Sequence, residues 1–249
     1  MSKHLAITLA LSLLVTAAPL VCADRAVEPG PKQSFEVTNT QRLPFAPGGT
    51  IRLNDSYGYL AVEGWDEPEV EITVIKSTDR FYWPSQKEQE QQRFERIRVV
   101  AERRSDKELV ISTVPPPPKR ALLVPRPLLP SARHGVTVDY RIHVPRNSRL
   151  EVHHDYGYVW VSDVTGDLDV RSHTGDMTVL LPDPGPYTID AKTGLGSVSS
   201  DFVGNGRFYL AANHFSYSGP APSRRIYLRM GRGSIAIKNG PASGPVPED

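Results

Sequence analysis

Leu150-Glu-Val-His-His-Asp-Tyr-Gly-Tyr-Val-Trp-Val161 aligns without a gap to Ile51-Arg-Leu-Asn-Asp-Ser-Tyr-Gly-Tyr-Leu-Ala-Val62. Both read apolar, any, apolar, four of any type, Gly, any, apolar, any, apolar. The pattern recurs where Leu168 and Val170 lead to Gly175, Met177 and Val179, where Ile189 and Ala191 lead to Gly196 and Val198, and where Ile226 and Leu228 lead to Gly233, Ile235 and Ile237. A degenerate copy starts at Phe208 and Leu210, with Phe215 in the glycine place and Tyr217 after it. The starts at 150, 168, 189, 208 and 226 are 18, 21, 19 and 18 residues apart.

Within each unit the apolar residues alternate, which is the period of a strand. Each unit therefore predicts two short strands joined across a glycine bend, since glycine tolerates a positive φ and a close backbone neighbour. One unit has too few apolar residues to bury its own face. Stacking units about 4.8 Å apart buries a continuous core. The expectation is an all-β fold, a single-stranded β-solenoid or β-roll of roughly 19-residue units stacked in chain order, with one short surface helix and a Pro-rich insertion. A β-sandwich explains the alternation but not the fixed seven-residue step from the first apolar position to the glycine.

These motifs, with Val144-Pro145-Arg-Asn-Ser-Arg-Leu150 and the export signal described below, resemble the bacterial putative-adhesin, β-strand-repeat family. The resemblance runs from about Phe35 to Lys238, and the chain departs from it in the Phe208 unit and the Pro-rich insertion. It implies an exported or membrane-linked protein and supplies no catalytic residue.

Before the repeats, Lys3 precedes the apolar run Leu5–Ala18, and Val21 and Ala23 suit the −3 and −1 positions of a cleavage site. Residues 1–23 read as a signal peptide and 24–34 as a linker, so the protein is expected to be exported, periplasmic or extracellular, with no transmembrane helix after cleavage. The rival reading is lipidation of Cys22, but Val21 stands where a small residue is needed. Cys22 is the only cysteine, which excludes a disulfide framework and a multi-thiolate zinc site. The chain carries 29 Lys and Arg against 28 Asp and Glu, and a balance this even argues against a nucleic-acid partner.

The domain is expected over 35–238, with an insertion at 79–134 and a disordered tail at 239–249. Val70–Ile75 reads as a strand, and Ser85 with Glu88 as a capping box opening a polar surface helix over 85–95. Ile97–Ala101 and Leu109–Thr113 read as a hairpin, and Val136–Val144 as a strand. Pro115–Arg133 holds seven prolines and reads as a polyproline loop over an open side of the sheet, or as a docking segment with basic residues Lys119, Arg120, Arg126 and Arg133.

Three constellations bear on function. His153, His154 and Asp155, with His173 and His214 in other units, invite a metal, but the repeat places Arg171 and Lys192 in the His153 column, so they read as exposed polar residues and no metal or cofactor is expected. Glu151, Asp169 and Asp190 share one outward position beside those cations and read as surface ion pairs; a carbohydrate-active enzyme using such carboxylates is the alternative function. Tyr57 and Tyr59 flank Gly58, Tyr156 and Tyr158 flank Gly157, and Trp160 follows. These five aromatics form the candidate partner surface, because large rings with polar tips suit sugars and protein partners. The reading is a non-enzymatic binding or structural scaffold at the bacterial cell envelope, whose partner is a protein or glycan.

Overall fold

The computed structural model describes residues 30–114, 135–181 and 186–240. The expected signal peptide, the Pro-rich run and nearly all of the expected disordered tail lie outside the described residues.

The glycine-bend units make the centre of the sheet. β2 (Thr50–Trp65), β7 (Arg149–Ser162) and β8 (Leu168–Leu181) each run unbroken through the bend, whereas β9 (Tyr187–Leu195) with β10 (Val198–Ser200), and β13 (Arg224–Arg232) with β14 (Ile235–Asn239), are interrupted at it. All pair in parallel with the glycines aligned, as in Gly58 beside Gly157 and Gly157 beside Gly175. The bend divides every unit into a first and a second arm.

On the first arm, Ile51, Leu150, Leu168, Ile226 and Ile189 make one buried column. Leu53, Val152, Val170, Leu228 and Ala191 make the next. On the second arm Leu60, Val159, Met177 and Ile235 repeat the arrangement. Residues of both arms join the same apolar cluster, so the sheet is creased along the glycines and folds its apolar face inwards.

The crease has a direct steric cause. Gly157 and Gly175 sit at φ 123° and 132°, and a Cβ on Gly175 would overlap the carbonyl oxygen of Gly157, as one on Gly157 would overlap that of Gly58. The column continues through Gly233 to Gly196 on the same contacts.

The stacking order corrects the expectation of a solenoid wound in chain order. The unit starting at 226 lies between those starting at 168 and 189, and the fourteen strands among the described residues form one mixed sheet that does not close. The Phe208 unit is not a stacked copy. It forms an antiparallel hairpin, β11 (Asn205–Tyr209) and β12 (Ala212–Ser218), laid against β9. Phe215 stands where the crease needs glycine, and the chain reverses at Leu210 and Ala211 instead.

Three further strands extend the second arm: β1 (Glu36–Pro44) lies on β3 (Glu69–Thr78), β3 on β6 (Val136–Pro145), and β6 in parallel on β2. β4 (Arg98–Ser105) and β5 (Glu108–Val114) make the expected hairpin, and β5 joins the first arm of β2 in parallel. So β5 and β6 extend the two arms beside β2, and the Pro-rich run connects them.

The helix α1 (Lys87–Arg96) follows a 3-10 turn at Pro84–Gln86. In place of the capping box expected at Ser85 and Glu88, only its return half is formed two residues earlier, where the Gln86 side chain accepts from the Trp83 N–H at 3.0 Å. Nor does α1 lie free on the surface: Phe94 and Glu90 are buried, and Glu90 is held by Arg93 at 2.6 Å. Lys76 Nζ donates to the carbonyls of Phe94 and Ile97 at 2.9 and 2.6 Å, closing the helix C-terminus.

Gly175→Ala should therefore destabilise the protein by about 3 kcal/mol or more, because neither the left-handed φ nor the adjacent carbonyl can yield cheaply. Gly206→Ala, where a Cβ meets nothing within 4 Å, should be close to neutral. Denaturant unfolding of the two variants checks both.

Candidate functional site

Alternation sends every second residue of an arm outwards, and the two arms present different outer faces. The first arm is charged. Glu151, Asp169 and Asp190 do share one row, with Tyr227 between the two aspartates. Arg52 and Arg149 reach Glu151 at 2.7 and 3.1 Å, Arg171 reaches Asp169 at 2.9 Å, and Arg229 and His214 reach Asp190 at 2.8 and 2.9 Å. The hydrogen bond from Arg52 holds Glu151 below the usual carboxylate range. Burial pushes Asp190 upwards, but Arg229 and His214 outweigh it and leave it low. Arg229 also lies over the Tyr227 ring at 3.6 Å. A cleft of about 300 Å³ runs along β9 and β12 past Asp190 and His214.

The histidines are not brought together. His153 faces Arg171 and approaches Asn54 at 3.3 Å, while His214 faces Lys192. Among the described residues no three His, Cys, Asp or Glu side chains are grouped to hold a metal.

His154 departs from the expectation of an exposed polar residue. It is buried, and its Nδ1 lies 2.9 Å from the equally buried Ser56 hydroxyl on β2. Counting by twos from Leu150 and Val152 puts it on the inner face, so the signal was the alternation itself. Burial pushes the imidazole down to about 4, against the pull of the Gly58 and Tyr156 backbone.

The second arm is aromatic. Tyr59 and Tyr158 occupy paired positions on β2 and β7, with ring centroids 5.6 Å apart and planes 4° from parallel. Trp160 lies 6.5 Å from Tyr158. The Tyr158 hydroxyl donates to Thr178 Oγ1 at 2.7 Å. Beyond the row, Ala61 lies between Trp160 and Arg141, and the exposed Arg141 makes no ion pair among the described residues. Asp139 accepts from the Tyr59 N–H at 2.8 Å, and burial raises its carboxyl.

The other two candidate tyrosines are elsewhere. Tyr57 packs against the core, and burial pushes its hydroxyl up to about 12. Tyr156 is exposed at the bend, between Tyr57 and Thr174. The structure thus brings together Tyr59, Tyr158 and Trp160, adding Arg141 and Asp139 from β6. Only tertiary pairing places those two beside the rings.

No family model matches the chain, and none of the curated proteins matches it. Among solved structures it is similar to a putative cell adhesion protein from Clostridium sporogenes, at 16% identity and a TM-score of 0.47, over 82% of this chain and 100% of that one. A putative adhesin from Bacteroides fragilis aligns at 11% identity and a TM-score of 0.29, over 81% of this chain and 97% of that one. Another from Parabacteroides distasonis aligns at 12% identity and a TM-score of 0.29, over 82% and 79%. At identities this low the likeness names no ligand for this chain.

Because the folded-state value of His154 lies below its ordinary 6.5, the stability due to the neutral ring is full above that pH and is lost as the pH falls towards 4. The loss should reach about 3 kcal/mol. His154→Gln, which keeps a hydrogen bond to Ser56 and gains no proton, should flatten that part of the profile in urea unfolding followed across the same pH range.

Proposed function

We propose that the protein is an exported, non-enzymatic binding scaffold of the bacterial cell envelope, and that the row Tyr59, Tyr158 and Trp160 is its recognition surface for an envelope glycan or protein. The observation that carries this is the in-register stacking of Tyr59 on Tyr158, with Trp160 beside them, on the side of the second arm away from its aliphatic columns; the three rings are half-buried, and the Tyr59 hydroxyl and the Trp160 Nε1 are covered. Rings fixed in this way lose little conformational freedom when a partner covers them. Arg141, one small alanine away from Trp160, adds an exposed cation, without an ion pair among the described residues, for an acidic or hydroxyl-rich group. Tyr57 and Tyr156 fall outside the surface, the first as a core residue and the second as part of the bend.

Two observations favour binding over glycoside chemistry. The carboxylates of the first arm are each held by cations, and Glu151 and Asp190 sit below their usual range, whereas a general acid needs a raised one. Export rests on the charged and apolar opening of the sequence, and no helix among the described residues is long and apolar enough to cross a membrane.

The double variant Tyr158→Ser with Trp160→Ser should lose about tenfold or more of its binding to isolated envelope fragments while its melting stays within a few degrees of the parent. Parental binding by a folded double variant would sink the proposal. Arg141→Ser, with both rings kept, should weaken binding less and leave melting unchanged.

A further inference from the structure

We propose that the β11–β12 hairpin tip docks on the surface of an anionic lipid bilayer, seating its apolar residues among the acyl chains and its flanking cations on the headgroup phosphates. This site is separate from the aromatic row and does not depend on it.

The tip is the most exposed apolar feature of the described chain. Leu210 is 97% exposed, Tyr209 68% and Phe208 67%. Ala211 accepts from the Gly196 N–H at 3.0 Å, which sets the tip beside Leu195, itself 45% exposed. Leu210 holds φ at 51°, a left-handed conformation that hairpin turns normally assign to glycine or asparagine. An aliphatic side chain in that place gains nothing from the fold, since nothing there buries it.

Cations surround the tip. Arg207 stands on β11, Lys192 on β9 across His214, and Arg232 opposite Leu195 on β13. All three are exposed, and none makes an ion pair among the described residues. The nearby carboxylate, Asp190, is already held by Arg229 and His214.

The spacing fits a bilayer. At about 3.4 Å per strand residue, Arg207 lies about 7 Å behind Tyr209 and about 10 Å behind Leu210. Interfacial segments bury their apolar groups about 5–10 Å deep, which leaves Arg207 level with the phosphates. A tyrosine between aliphatic tip and cation suits the headgroup boundary. A second copy of the chain is a poorer occupant: edge-to-edge antiparallel pairing of β11 about its central residue would set Arg207 against Arg207.

The test is co-sedimentation of the purified exported form, which lacks residues 1–23 and so the apolar run Leu5–Ala18 that would itself enter lipid, with vesicles of phosphatidylcholine alone and of equal parts phosphatidylcholine and phosphatidylglycerol. Binding should require the anionic lipid and weaken with salt. Phe208→Ser with Leu210→Ser, or Arg207→Glu alone, should reduce it by about tenfold with melting unchanged. Tyr209→Trp should shift its added fluorescence to the blue on anionic vesicles only, which reports insertion without requiring a loss of function. Failure to bind anionic vesicles, parental binding by the folded double-serine variant, or no blue shift in a bound Tyr209→Trp protein overturns the proposal. So does a tip that captures a protein partner while both forms bind vesicles equally. Envelope binding through Tyr158 and Trp160 is read separately, so each site can fail without the other.

Discussion

The fold depends on a contact between backbones. In the column Gly58, Gly157, Gly175, Gly233 and Gly196, the carbonyl oxygen of one bend occupies the space where the next would carry a Cβ. A side chain at any of these points would force neighbouring strands apart just where they change direction. With glycine the units stay at hydrogen-bonding distance through the bend, and the parallel ladders run along both arms. Everything buried follows from that: the apolar columns of the two arms meet because all the bends coincide.

The crease also organises the polar residues. Just before the glycines the inner row changes from aliphatic to polar at Ser56, His154, Ser172 and Thr193, with Met230 the apolar member of the row. Thr193 shows the use of such a residue: its hydroxyl donates to the Gly196 carbonyl at 3.1 Å and accepts from the Asn213 N–H at 3.1 Å. It thereby ties the bend to the hairpin that caps the stack. Ser56 and His154 bond one another in the same row, so Thr193 is the member whose hydroxyl serves the backbone at the bend, which an aliphatic side chain cannot do.

Outside, the two arms diverge because outward residues are free of the packing constraint. The first arm carries acids beside bases, so a stack of like repeats does not become a stack of like charges. At the position just past the bend the stacked units carry a ring on β2 and β7, while the equivalent positions further along are Asp176, Ser234 and Ser197. The aromatic row is therefore local, and the rest of that face is small and polar. At the far end of the first arm the hairpin exposes aliphatic and aromatic side chains among cations that make no ion pair among the described residues, a third kind of surface.

The residues by themselves determined the strand character, the inner and outer faces and the place of each bend, because alternation and the glycine step are local and repeat in every unit. Leu168, Val170, Ile189, Ile226 and Leu228 are buried in register as that pattern requires. The same alternation sets Trp160 on the outer side, and it carries the inward place of His154, which the reading of His153, His154 and Asp155 as exposed polar residues overlooked. The order of the stack was not legible. A unit starting with Ile189 and one starting with Ile226 offer the same ladder and nearly the same apolar column, so neither prefers a neighbour by its own sequence. Their places follow from the whole chain, in which β13 fills the gap between β8 and β9 while β11 and β12 cover the outer edge of β9. The fate of the Phe208 unit was decided likewise. Without a glycine it cannot crease, and pairing with an open edge satisfies its backbone instead. Which aromatics meet was also a tertiary matter, because ring contact depends on strand neighbours, and only pairing sets Tyr59 on Tyr158 while Tyr57 turns into the core.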